Sequence, residues 1–145
     1  ENVMVGAFLR SKHVAAVRKR AQEILEFVGL GHRSGIMARS LTMADRKRLE
    51  LARALAIEPK LLLLDEVMAG LNPKEIEEVI DVVRRIHASG ISMIVIEHVM
   101  SVIMSLSHRI LVLHHGEKIA EGTPAEIAHH PKVIEAYLGE ECYLA

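Results

Sequence analysis

Between Lys12 and Val28 the apolar residues Val14, Val17, Ala21, Ile24, Leu25 and Val28 recur at the three-and-four spacing of an amphipathic helix. Gly29 and Gly31 mark its end. The stretch from Thr42 to Ile57 predicts a second helix, with Thr42 as N-cap, Asp45 at the third helical position and Pro59 closing the region. Leu61 to Leu64 is a short unbroken apolar run, the pattern of a strand buried on both faces. Asn72-Pro73-Lys74-Glu75 reads as a helix start, with a cap, a proline in the first turn and a capping-box glutamate. Ile76, Val79, Ile80, Val83 and Ile86 then form its buried stripe, and Gly90 stops it.

Ile91 to Ile96 predicts a second buried strand, and Val99, Val102, Ile103 and Leu106 a short helix. Arg109 to Leu113 and Glu117 to Ala120 flank His114-His115-Gly116, a hairpin pattern. Thr123-Pro124-Ala125-Glu126 repeats the capping box before a last helical stretch. Buried strand, helix, buried strand, helix is the rhythm of an open parallel α/β sheet. Residues 1–57 are helical only and predict a helical subdomain, with 58–145 forming the α/β part.

Composition narrows the functional classes. Half of the 145 residues are hydrophobic and 26% are charged, as in a globular domain with a real core. Aromatics make up only 3%, so the core is aliphatic and base stacking on aromatic platforms is disfavoured. A formal net charge of -1 gives no strong pull toward nucleic acid or anionic lipid. The single cysteine, Cys142, excludes an intramolecular disulfide, suits a reducing compartment and reads as inert. No run reaches the roughly 18 to 20 apolar residues of a membrane span, and no signal-like segment is present. The sequence opens on Glu1-Asn2-Val3, which leads us to expect that a longer protein was cut or that upstream residues lie outside it.

Three segments carry candidate chemistry. In an open α/β sheet, ligands bind beyond the carboxyl ends of the strands. Asp65, at the end of the leucine run, could hold Mg²⁺, a hard cation that prefers oxygen ligands shared with phosphates. Glu66 could orient or deprotonate a water attacking a phosphoryl group. The alternative is that both acids simply open a solvated turn. Glu97-His98 follows the second strand, and His98 could hydrogen-bond a terminal phosphate; otherwise it is a capping or surface histidine. Ser40 to Asp45 opens a helix whose N-terminus is suited to anions, with Thr42 either offering its hydroxyl to phosphate or only capping its own helix. The pairs His114-His115 and His129-His130 lack metal-ligand spacing. Arg18, Lys19 and Arg20, like Arg46, Lys47 and Arg48, read as solvated helix faces.

Taken in order, these segments resemble the ATP-binding subunits of ABC transporters. Leu41 to Asp45 stands where that family has Leu-Ser-Gly-Gly-Gln, and Arg48 to Ala56 looks like its signature helix. Leu61 to Glu66 matches the Walker B strand, Ala69 to Pro73 the D-loop and His98 the switch histidine. Val67 to Pro73, Ile96 to Met100 and Val133 to Gly139 look most like branched-chain amino-acid importers. The resemblance covers essentially the whole chain. It implies the C-terminal part of a P-loop NTPase (RecA-like) ABC ATPase domain, with a helical signature subdomain.

The same resemblance implies ATP and Mg²⁺, with Asp65 toward the metal and Glu66 and His98 catalytic. Thr42, Met43, Ala44, Asp45 and Asn72 would touch nucleotide, the D-loop crossing a dimer interface. The implied partners are a second ATPase subunit, a transmembrane permease and, indirectly, a periplasmic binding protein, with no nucleic acid. The implied place is the cytoplasmic face of the cell membrane, as a peripheral subunit. The sequence departs from the family's pattern in three ways. It contains no Gly-x-x-x-x-Gly-Lys-[Ser/Thr] loop. Met43 and Ala44 replace the signature glycines, and Asp45 replaces the glutamine, setting a negative charge near a phosphate-binding edge. These departures leave a non-transport ABC ATPase, or a non-enzymatic docking module, as alternatives, and they predict that the chain alone is inactive.

Overall fold

A computed structural model describes residues 1–141, which form two compact units, 1–96 and 97 onward. This division falls elsewhere than the helical and α/β parts expected from the sequence. Each unit is described by itself, and Cys142 lies outside the described residues.

The first unit opens with a helix absent from the sequence reading, α1 (Asn2–Ala7), followed by α2 (Val14–Phe27). Short 3₁₀ turns at Gly31–Arg33 and Ala38–Ser40 lead to α3 (Met43–Leu55). The expected stripe of α2 is buried at Val17, Ala21, Ile24 and Val28, while Val14 is exposed. Helices α1, α2 and α3 pack on one another. Gly6 is a close approach in that packing. A Cβ there would lie 3.0 Å from Ala56 Cβ and 3.1 Å from the Arg53 carbonyl, so any larger residue would force α1 and the end of α3 apart.

Strand β1 (Leu61–Asp65), helix α4 (Pro73–Ala88) and strand β2 (Ser92–Ile96) complete the unit. The strands pair in parallel, Leu61 opposite Ser92 and Asp65 opposite Ile96. Parallel neighbours need a crossover, and α4 supplies it. Its start is the capping box expected: Asn72 Oδ1 accepts the Glu75 N–H at 3.0 Å, and Glu75 Oε2 accepts the Asn72 N–H at 2.9 Å. Val79, Ile80, Val82, Val83 and Ile86 are buried.

One expectation is overturned. The strands are not buried on both faces. Leu62 and Leu64 are buried, but Leu63 is 65% exposed and Ile94 and Ile96 are 51% and 55% exposed. An unbroken apolar run shows that both faces of a strand suit a core; within this unit, protein covers one face of the two-stranded sheet only.

The second unit begins at Glu97 and contains α5 (Met100–Leu106), the antiparallel strands β3 (Ile110–His114) and β4 (Glu117–Gly122), α6 (Pro124–Ala128) and α7 (Pro131–Glu141). The connecting residues His115 and Gly116 both have positive φ, 48° and 82°, as a two-residue type I′ hairpin turn requires. Ile110, Val112, Ala120, Ile127 and Val133 form its core. The last helical stretch is divided in two, with His129 and His130 between the helices. Glu126 accepts the Thr123 N–H and hydroxyl at 2.7 and 2.9 Å, and these bonds hold its carboxyl below the usual range. Glu121 is lowered likewise by the hydrogen bond from Lys118 and by the charge of Arg109.

The close approach at Gly6 predicts that Gly6→Val lowers stability by about 1–3 kcal/mol in urea unfolding through overpacking. The same change at Gly35, where a Cβ would meet nothing within 4 Å, should stay within about 0.5 kcal/mol of the parent.

Candidate functional site

The site is built at the end of β1. Asp65 is its last residue and Glu66 follows directly, both exposed. Parallel pairing continues one step past the strand, because the Glu66 N–H donates to the Ile96 carbonyl at 2.9 Å. There the backbone turns sharply. Glu66 has φ 47°, a left-handed conformation that costs a non-glycine residue about 1–3 kcal/mol. Its carbonyl is fixed on the far side, accepting from the Ala69 N–H at 3.2 Å and from Lys47 Nζ of α3 at 3.5 Å. The acid is thereby separated from the strand's alternation and held at the sheet's carboxyl edge, where ligands of open α/β sheets bind.

Asp65 is a lone hard-oxygen donor, and the described residues contain no group of three or more His, Cys, Asp or Glu able to hold a metal by themselves. That donor set fits a Mg²⁺ shared with substrate phosphates, not one caged by protein alone. Asn72 is exposed and occupied by the capping box of α4. His98 belongs to the second unit, as an exposed bend residue shortly before α5.

The N-terminus of α3 is more engaged than its sequence suggests. Thr42 caps the helix: its Oγ1 accepts the Asp45 N–H at 3.2 Å and donates its own hydrogen to Asp45 Oδ2 at 3.0 Å. Asp45 is 6% exposed, the only charged side chain in the core of the described residues. Arg33 Nη1 lies 2.6 Å from Oδ2 and Arg48 Nη1 3.8 Å from Oδ1. Arg48 in turn pairs with Glu78 of α4. Met43 points outward at 53% exposure, while Ala44 is buried.

Two expectations change here. Asp45 does not present its charge to an edge; burial would leave it unsolvated, so it is turned inward and paired. Arg48 is no solvated residue, its side chain being 15% exposed. Its spacing from Asp45 is that of helical neighbours, a signal present in the sequence. Arg33 comes from a separate turn, and no local pattern pairs it with Asp45. The reach of Lys47 to the Glu66 carbonyl is likewise a tertiary contact without a local signal.

The chain is similar to known proteins over most of its length. The ABC transporter family profile matches residues 1–69, and that of the branched-chain amino acid ATP-binding cassette transporters matches 117–143. The high-affinity branched-chain amino acid transport ATP-binding protein LivG of Salmonella typhimurium is 41% identical over 92% of this chain and 52% of its own length. The chain belongs to the ABC transporter ATP-binding family.

A second relative of this ABC domain, the lipopolysaccharide export system ATP-binding protein LptB of Escherichia coli K12, is 33% identical over 97% of the chain and 59% of its own length. A crystal structure of an ABC transporter's ATP-binding cassette in its ADP conformation superimposes with a TM-score of 0.81 at 27% identity, over 95% of this chain and 61% of that one. The fold is thus that of the ABC cassettes, a P-loop NTPase fold of helices and parallel sheet. Family members bind ATP and are ATPases. The chain spans about half the length of the curated relatives it matches.

The pairing of Asp45 predicts a stability effect. Asp45→Ala should cost about 2–3 kcal/mol in urea unfolding, below the range for fully buried pairs because Arg33 is a third exposed. Asp45→Asn, which keeps a partner for the Thr42 hydroxyl, should cost less.

Proposed function

We propose that this ABC domain is the hydrolytic part of an ATP-binding subunit of an importer for branched-chain amino acids, coupling ATP hydrolysis to transport through a membrane permease. The observation that supports it most is the conformation of Glu66, an acid held in left-handed backbone directly after a parallel strand. The likeness to LivG and to the branched-chain cassette profile supports the substrate class.

Glu66 would act as general base, accepting a proton from the water that attacks the γ-phosphate of ATP. His98 would hydrogen-bond that phosphate and hold the water in line. Asp65 would hold Mg²⁺, which supplies charge neutralisation across the phosphates when bound. Residues 1–57 would serve as the helical signature subdomain and 58–145 as the α/β core. In an assembly with a second ATPase subunit, the segment Thr42 to Asp45 at the start of α3 and Asn72 would lie toward the nucleotide held by that partner, with the side chains of Ala44 and Asp45 turned inward. A periplasmic binding protein would act through the permease, and the subunit would sit at the cytoplasmic face of the membrane. Among the described residues no helix is long and apolar enough to cross a membrane.

In a complete subunit that includes a phosphate loop, Glu66→Gln should lower steady-state phosphate release about 10²- to 10⁴-fold with ATP affinity retained. Normal turnover by the variant would remove Glu66 from its role. The 145 residues alone should show neither micromolar ATP binding by calorimetry nor phosphate release. Positioning and charge neutralisation dominate phosphoryl transfer, and this sequence lacks the lysine-bearing loop that supplies them in P-loop enzymes.

A further inference from the structure

A hydroxyl has one hydrogen to give. In Thr42 that hydrogen goes to Asp45 Oδ2, while Thr42 Oγ1 itself accepts the Asp45 N–H. Any phosphate meeting this helix end could be given the Thr42 hydrogen only by breaking a bond to a carboxylate. That carboxylate is not free to turn away. Arg33 holds Oδ2, Arg48 stands beside Oδ1, and Glu78 of α4 holds Arg48 from the other side. Ala44 is buried and Met43 is exposed.

We propose that Asp45 closes the N-terminus of α3 from within: clamped by Arg33, it keeps the Thr42 hydroxyl from serving as a phosphate donor. The proposal rests on the reading of α3 as the helix that faces a partner's nucleotide. Asp45 is then a determinant of how weakly this subunit grips ATP across a dimer. It acts by capturing a hydrogen bond and not by repelling the phosphate, since its charge is buried and paired with arginines.

The mechanism predicts that removing the carboxylate frees the donor. The experiment uses the complete subunit with its phosphate loop, in a Glu66→Gln background so that bound ATP persists. ATP binding by the monomer, measured by calorimetry, checks the nucleotide reading. ATP-dependent self-association, measured by sedimentation velocity, checks the closure. Asp45→Ala, which leaves no acceptor on the side chain, should tighten ATP-dependent self-association about tenfold, the scale of one hydrogen bond to a charged group, without changing monomer affinity for ATP. Adding Thr42→Val to Asp45→Ala should abolish that gain. If Asp45→Ala does not fold, the double variant Arg33→Met/Asp45→Ala removes both Asp45 and its nearest arginine, and the same gain is expected.

Unchanged or weaker association in a folded Asp45 variant overturns the closure while leaving the nucleotide reading intact. A gain that survives Thr42→Val overturns the hydroxyl mechanism. A monomer that binds no ATP overturns the reading of the chain, and the proposal with it.

Discussion

Strands β1 and β2 can lie parallel only if the chain returns to its starting edge between them, and α4 makes that return. The consequence is chemical as well as topological. Both strands end on one edge, and the backbone hydrogen bond from Glu66 to Ile96 ties the two ends together. The left-handed turn at Glu66 depends on that tie. A strained non-glycine residue persists only where its surroundings over-determine it. Here the N–H is held by Ile96, while the carbonyl is held by Ala69 and Lys47. Helix α3 thus contributes Lys47, which braces the backbone of the acid next to β1.

The start of α3 shows how burial changes the meaning of a charge. An aspartate near the N-terminus of a helix is favourable for the helix dipole, and on an exposed rim it would oppose an approaching phosphate. Taken out of water, the same carboxylate needs partners, and it finds them in the Thr42 hydroxyl, Arg33 and Arg48. With Glu78 pairing Arg48, the four ionised groups balance in sign. Burial therefore transfers the effect of Asp45 from long-range repulsion to a short-range claim on one hydroxyl.

Most of the secondary structure was legible because its signals are local. The capping boxes at Asn72 and Thr123, the three-and-four stripe of α2 and the turn residues of the β3–β4 hairpin all act within a few positions of themselves. So did the acids after β1, since a strand followed by Asp-Glu carries its own context. Helix α1 carries no such local signal: it is short and is held by packing at Gly6 and not by a cap of its own. Burial of the strands was overestimated for a different reason. A run such as Leu61 to Leu64 reports what a strand could pack against, not what covers it. The pairing of Arg33 with Asp45 was illegible because it joins a 3₁₀ turn to a helix through tertiary folding alone.

The exposed face of the first sheet bears directly on how well the acid can be held. Leu61, Leu63, Ile94 and Ile96 present apolar surface on a pair of strands with no further strand beside them in the unit. Two-stranded sheets are marginal unless a third strand or a packed layer supports them, and unpaired strand edges invite association. The geometry at Glu66 is only as firm as the β1–β2 pairing that bears its N–H. Catalysis asks for reacting groups held to within fractions of an ångström, a demand that a sheet bare on one face meets poorly. Additional protein over Leu63 and Ile94 would stiffen the pairing, and with it the backbone that aims the carboxylate. The apolar face and the acid at its edge are in that sense one feature: what covers the leucines also steadies the acid.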